Sequence, residues 1–334
     1  MSAAQIVACG MTTAIGLSAA ASCAAFRARL DNFQETRFID GQGGWLFGAE
    51  VPFEDGVRGT ARLARLAVGP MRECLEGAGL TLPEVPLLLC LAERDRPGRP
   101  AALEADLLAG IESAFAAETH EDTKIYAYGQ VGGAVALRDA KGLLERGAKA
   151  VLIAGIDSYF NAAAISAFIA DHRILSDANT NGFILGEAGA AVLVRSEGAG
   201  LAVRGLGFGT EKAHITSGDP LRADGMVTAM RTAFEEAGIV YDDIAYRIAD
   251  LDGEQYYFRE AALAQARLWR GARDPEDIWL PCDGMGQTGA AVVPICLGVG
   301  LVAAQKGYAP GPIALIHTAD DAGRRAAIVT EGAA

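Results

Sequence analysis

The chain is 334 residues long and 51% apolar, with 42 acidic and 29 basic side chains and a net charge of −13. That length makes one large domain or two smaller ones, and a mean hydropathy of +0.21 calls for several elements buried on both faces. The acidic balance disfavours a nucleic-acid partner: the only basic clusters are Arg58/Arg62/Arg65, whose helical spacing reads as a solvated helix face, and Arg94/Arg96/Arg99.

In chain order, Ile6–Cys9 reads as a short strand, and Gly10 and Gly16 bracket a turn. A helix follows from Ser18 as N-cap to Leu30. Residues 31–57, with Gly41, Gly43, Gly44 and Pro52, are expected to be irregular. A helix from Thr60 to Glu76 stops at Gly77 and Gly79, and Leu87–Leu91 is a strand. The charged stretch Glu93–Pro100 is a loop, Ala101–Ala117 a helix, and Lys124–Ala127 a strand. A helix then runs to about Gly147, and Val151–Gly155 is a wholly apolar strand. Ala162–Ala170 is helical and 171–183 a polar loop. Ala188–Val194 and Leu201–Leu206 read as neighbouring strands joined through Gly198 and Gly200. After them come a helix near 219–237, a strand 245–250, a helix 256–270 and a short strand Ile278–Leu280. Residues 288–304 lack charge but carry Pro294 and three glycines, which reads as a buried helix rather than a membrane span. Strands 312–317 and 324–330 close the chain. The apolar stretch 6–26 has no basic residue before it and is broken by glycines, so it does not read as a signal peptide; a cytoplasmic, soluble protein is expected.

Six cysteines (Cys9, Cys23, Cys74, Cys90, Cys282, Cys296) show no CxxC spacing, and four histidines are scattered, so reduced buried thiols and no metal or cofactor are expected.

Two internal matches organise the chain. Glu76-Gly77-Ala78-Gly79-Leu80 through Val85 aligns without gaps on Glu235-Glu236-Ala237-Gly238-Ile239 through Ile244, an offset of 159. Gly129-Gln130-Val131-Gly132-Gly133-Ala134-Val135 matches Gly286-Gln287-Thr288-Gly289-Ala290-Ala291-Val292 at an offset of 157. The pair implies a duplicated αβ unit, with halves near 1–200 and 201–334 about a pseudo-twofold axis. Gln130 and Gln287 are then expected at helix N-termini facing one shared site, although glutamine is neither a nucleophile nor a general base.

These residues resemble the β-ketoacyl-acyl-carrier-protein synthases of the thiolase-like superfamily over nearly the whole chain. The resemblance is carried by Ile6-Val7-Ala8-Cys9-Gly10-Met11 with Gly16, and by the strand Val151 to Ser158 with its Gly155 and Asp157. Most specific is Asn181-Gly182-Phe183-Ile184-Leu185-Gly186-Glu187-Ala188-Gly189-Ala190-Ala191, preceded by Asp177 and similar to the family's Gly-Phe-x-x-Gly-Glu-Gly-Ala segment. Gly286 with Thr288-Gly289-Ala290-Ala291 resembles the family's late Gly-His-Thr-x-Gly-Ala turn. The resemblance implies an α/β, five-layer αβαβα fold with two pseudo-symmetric halves, and a homodimer through the strand Lys124–Tyr128. The chain is shorter than typical members, so capping loops are trimmed.

The departures fall on the family's chemistry. Gln130 stands in place of the nucleophilic cysteine, whose thiolate such a helix terminus favours. Gln287 replaces the late histidine and Cys282 the lysine five residues earlier. The other histidine corresponds to Asp250, or to Ala249 with a one-residue shift. The Gly-Phe-Gly-Gly loop is replaced by Asp320-Asp321-Ala322-Gly323-Arg324-Arg325. No catalytic residue is therefore expected at these degenerate positions. The leading reading is a non-catalytic, thiolase-fold binding or assembly subunit. Two alternatives stay open: an acyltransferase with a rearranged site using Cys282, and a chain-length-factor-like partner of an active synthase. Decarboxylation is disfavoured because it needs the absent histidines. An acyl carrier protein, itself strongly acidic, is disfavoured as a partner by the charge of −13.

Two weaker patterns remain. Gly205-Leu206-Gly207-Phe208-Gly209 lacks the third glycine of a nucleotide loop and reads as the exit of a strand. Asp250, Asp252 and Glu254 alternate as cation ligands do, but read as a solvated loop.

Overall fold

Helix position follows from which residues have no polar face to show. Residues 292–305 are apolar all round, and eleven of their 14 residues are buried, so this helix lies in the middle of the molecule. Its Pro294 is tolerated because it falls in the first turn, where backbone N–H groups have no helical partner anyway. The structure, a computed structural model, describes residues 4–53, 56–271 and 277–332.

The first part of the chain forms β1 (Ala4–Thr13), α1 (Ala19–Arg27), β2 (Gln34–Ile39), β3 (Trp45–Ala49), α2 (Gly59–Ala78), β4 (Leu87–Cys90), α3 (Leu103–Phe115), β5 (Lys124–Tyr126), α4 (Gly132–Glu145), β6 (Val151–Ser158), α5 (Ala162–Ala170) and β7 (Leu185–Arg195). The rest forms β8 (Leu201–Thr210), α6 (Asp224–Ala237), β9 (Tyr246–Ala249), α7 (Gln255–Leu268), β10 (Asp277–Trp279), α8 (Cys282–Met285), α9 (Val292–Gln305), β11 (Ile313–Ala319) and β12 (Arg324–Glu331).

The strands lie in the order β10-β9-β11-β12-β8-β1-β7-β6-β4-β5. Cut between β8 and β1, this is one five-strand pattern written twice. β4 pairs in parallel with β5 and β6, as β9 does with β10 and β11. The antiparallel pairs β6–β7 and β7–β1 are answered by β11–β12 and β12–β8. The short ladder of Ala4–Ile6 on Leu201–Val203 joins the two halves edge to edge, and an isolated bridge between Leu185 and Gln287 links them again. One hydrophobic core holds α4 and α9 between the sheets, a second lies under α2 and α3, and a third under α6 and α7. The layers are therefore α-β-α-β-α, with two pseudo-symmetric halves.

The Glu-x-Ala-Gly match is a structural repeat. Gly79 and Gly238 both end their helices in the left-handed conformation, with φ of 65° and 69°. Short 3-10 turns, Leu82–Glu84 and Tyr241–Asp243, then lead into β4 and β9.

Several expectations need correction. Gly10 is not in a turn but inside β1, where it lies against the Pro70 carbonyl and leaves no room for a side chain. The first helix ends at Arg27 rather than Leu30. Within 31–57, of which 54 and 55 fall outside the described residues, β2 and β3 form a hairpin, and β3 pairs with β7 at Gly48–Ala49. The strands expected to be neighbours, β7 and β8, are separated by β1, which pairs with both. Gly205, Gly207 and Gly209 do not mark a strand exit; they lie within β8 and face carbonyls of Ala233, Ala229 and Gly225, so α6 packs directly on the strand backbone.

Candidate functional site

The two central helices begin alike. A 3-10 turn, Gly129–Val131, leads into α4, and another, Gly289–Ala291, leads into α9. Gly129 and Gly289 have φ of 53° and 52°, and each lies against a carboxylate, Glu93 and Asp157 respectively, in space that a Cβ would occupy. Tyr128 and Thr288, just before them, share near-identical conformations, with φ of −123° and −105°. The helices meet closely: a side chain at Gly133 would collide with Val293. Two helix N-termini thus converge at one centre.

This geometry corrects the register of the glutamine repeat. The conformations equate Gly129 with Gly289, an offset of 160 that falls one residue from the helix-stop repeat at 159 and three from 157. Gln130 therefore corresponds to Ala290, and Gln287 lies three residues ahead of its supposed equivalent. The sequence match arose because both turns are written with glycine, glutamine and small residues.

Gln130 is buried in the first turn, and its Oε1 has no hydrogen-bond partner among the described residues. Thr288 Oγ1, beside the opposite helix start, is also buried without one. Gln287, by contrast, is fully engaged. Its Nε2 donates to Asp252 Oδ2 at 2.6 Å, and its Oε1 accepts from the Gly289 N–H at 2.9 Å. It staples the β9–α7 connection to the start of α9.

The acidic run after β9 is not a solvated loop. Asp250 Oδ2 accepts from the Ala319 N–H at 3.0 Å, and burial pushes its carboxyl well above the usual range. Asp252 is pushed up to about 7, by burial first and then by the Glu254 charge. Glu254 accepts from Arg173 Nε at 2.7 Å, and Arg173 Nη1 also reaches Asp321 Oδ2 at 2.5 Å. The three acids thus part into three partnerships instead of converging on a cation.

Cys282 opens α8 close to these carboxyls. Burial, then the charges of Asp252 and Asp250, push its thiol well up. That is the reverse of the electropositive surroundings that make a cysteine nucleophilic. All six cysteines are free thiols, five of them buried.

Sequence reasoning missed the ion pairs that hold this centre. Arg62, expected on a solvated face, is buried with its guanidinium on Glu187, which also accepts the Val51 N–H at 2.8 Å. Asp157 accepts from Arg96 Nη1 at 2.8 Å and from the Ala290 N–H at 3.0 Å, placing a carboxylate on the start of α9. Arg173, Asp321 and Tyr257 lock the β11–β12 turn. The only advance signal was an acid ending an apolar strand at Asp157 and Glu187 within its glycine-flanked motif. The glycines of that motif permit close backbone packing, with Gly186 facing the Met285 carbonyl and Gly189 the Leu66 carbonyl.

Twin five-strand sheets around two buried helices whose starts converge define a thiolase-like fold. Among solved structures the chain is similar to the ishigamide ketosynthase/chain length factor, at 18% identity and a TM-score of 0.81 over 99% of each chain. It is likewise similar to a β-ketoacyl synthase from Burkholderia phymatum, at 15% identity and a TM-score of 0.73 over 100% of each. A ketosynthase in complex with its chain length factor from Xenorhabdus doucetiae aligns at 14% identity and a TM-score of 0.76, over 99% of this chain and 98% of that one. At such identities the likeness is one of fold. Comparison with family profiles and with curated sequences gives no match.

Proposed function

We propose that this chain is a non-catalytic subunit of thiolase-like fold that works as a chain-length-factor-like partner of a ketosynthase. The observation that carries the reading is Gln130, buried at the start of α4 where the resemblance places a nucleophile. An amide there can neither attack a thioester nor be activated to do so. The surrounding positions agree: Gln287 is consumed in structural hydrogen bonds, and the Cys282 thiol is held protonated by burial and neighbouring acids. The structural neighbours support the partner role, since two of them are ketosynthases described with a chain length factor.

The pairing edge is β5. It is the last strand of its half-sheet and pairs only with β4 among the described residues. An open edge of this kind is a template for a strand of another chain. Exposed Tyr128, stacked under Arg324 at 5.0 Å, stands beside it. We place the subunit contact there, with a ketosynthase in preference to a second copy.

The test is intact-protein mass spectrometry after incubation with acyl- and malonyl-thioesters of coenzyme A, together with release of carbon dioxide. The expected result is neither adduct nor gas from the chain alone. An adduct mapped to one residue would restore an enzyme and discard the reading. Co-expression with ketosynthases then tests the partner: a stable one-to-one complex is expected, and a homodimer that ignores every ketosynthase offered would leave a binding or assembly subunit of another kind.

A further inference from the structure

A cleft of about 100 Å³ lies between the loop after β4, the start of α2 and the start of α5. Five arginines line it, Arg37, Arg58, Arg62, Arg96 and Arg99, against one carboxylate, Asp157. This concentration is unexpected in a chain of net charge −13. The acids that pair with the arginines, Asp157 apart, are not among the lining residues. Glu187 holds Arg62, Glu50 holds Arg37 at 3.2 Å and reaches Arg62 at 3.5 Å, Glu93 holds Arg96 at 2.6 Å, and Glu104 holds Arg99 at 3.0 Å. Carboxylates so placed fix the guanidinium planes, as the supporting layer of a binding site does. Counting Glu50 and Asp157, five carboxylates match the five arginines, so the local charge is balanced and only the donors still free can bind. Arg99 uses Nε on the Ala92 carbonyl and Nη2 on Glu104, and its Nη1 makes no hydrogen bond among the described residues. Arg58 is exposed on the rim and makes neither hydrogen bond nor ion pair among the described residues. Between the guanidiniums the wall is apolar, formed by Leu63, Leu103, Phe160 and Ala164.

We propose that this cleft binds a small organic anion, a carboxylate or phosphate ester with a short acyl or aryl body, the charge on Arg58 and Arg99 and the body against Leu63 and Phe160. A guanidinium is suited to both oxyanions because its fork of N–H groups matches two oxygens at once. The rear wall ties the cleft to the central helices. Asp157, paired with Arg96 at the lining, also holds the Ala290 N–H at the start of α9. An occupant that stiffens the Arg96–Asp157 pair therefore stabilises the molecule as a whole. The site stands whether or not the chain pairs with a ketosynthase.

The experiment is titration calorimetry and thermal unfolding of the full chain with benzoate, phenyl phosphate, inorganic phosphate and neutral benzyl alcohol. It is run at about 0.05 and 0.3 M salt, because screening weakens a charge-led contact. Saturable binding of benzoate or phenyl phosphate is expected, with a raised Tm and a several-fold loss of affinity at the higher salt. Arg58→Glu, on an exposed side chain, is expected to weaken binding about tenfold or more by reversing the charge at the rim. Benzoate and phenyl phosphate distinguish the two oxyanions. Benzyl alcohol binding as tightly as benzoate, inorganic phosphate binding as tightly as phenyl phosphate, unaltered affinity in Arg58→Glu, or no saturation by either organic anion to about 10 mM, roughly −2.7 kcal/mol by the affinity scale, would each overturn the assignment.

Discussion

Gln130 carries the reading of this molecule, and its surroundings predict how it behaves when changed. A buried carbonyl oxygen without a partner costs about 1–3 kcal/mol, so an apolar side chain of similar length is tolerated or preferred. Gln130→Met is expected to leave the fold intact and raise stability by about 1 kcal/mol in urea unfolding. A loss of similar size would show that the amide is bonded in solution. Asp252 offers a pH test. Its folded carboxyl keeps its proton up to about 7, against 3.8 for an unperturbed group. The native state thus binds more protons in that window, and this contribution to stability is lost as pH rises through it. His317 acts in the opposite sense. Burial first, and Arg247 second, lower it to about 3 from 6.5, so its contribution is lost as pH falls. Asp252→Asn removes only the first effect. Its stability relative to the unsubstituted chain should therefore increase between pH 5 and pH 7.5; an offset that stays constant with pH would refute the raised carboxyl.

At the scale of elements, the helix starts show how glycine serves this fold. Gly289 is needed twice over, for its φ of 52° and for the Asp157 carboxylate packed against it. Gly289→Ala combines the left-handed penalty of about 1–2 kcal/mol with displacement of Asp157. A loss above about 2 kcal/mol is expected, read as a lower urea midpoint with unchanged slope. Gly79 supplies the contrast, since its φ is 65° but no atom lies where a side chain would go. Gly79→Ala should cost the left-handed penalty alone, so equal losses at both sites would show that the carboxylate contact is unimportant. The β2–β3 hairpin shows the limit of local reading. Its glycines and polar residues look irregular, and it becomes strand because β3 finds an edge at Leu185–Gly186 of β7. That partner is more than a hundred residues away.

Among the described residues the main sheet ends in two open strand edges, β5 in one half and β10 in the other, and the proposed contact lies at β5. If a ketosynthase pairs there, a charge beside the edge should interfere. Tyr128→Asp is expected to lower the heterodimer fraction in size-exclusion chromatography with light scattering by at least severalfold, while thermal unfolding of the free chain changes little. A complex unaffected by this substitution would move the interface off β5. The −13 charge belongs to the same scale, since it limits which surfaces approach and how salt alters their association.

Much of this architecture was written locally. The apolar run of β6, the αL glycines that stop α2 and α6, and the unbroken apolar circumference of α9 depend on chain chemistry alone, and each was legible in order. The same holds for the duplication, because repeated units repeat their stops and turns. The expectation of a non-catalytic subunit came from the family resemblance, which sets Gln130, Asp250, Cys282 and Gln287 against the synthases' reacting groups. Other features depended on which residues meet across the fold. Only the tertiary structure put β1 between β7 and β8, since strand order is set by long-range pairing and leaves no local mark. It shifted the glutamine repeat from 157 to 160, because backbone conformation and not residue identity defines equivalence in a turn. It buried Arg62 on Glu187 and Arg173 on Glu254, pairs 125 and 81 residues apart in sequence. A charged residue reads as surface until a distant opposite charge offsets the cost of its burial, and that partner is named only when the chain has folded.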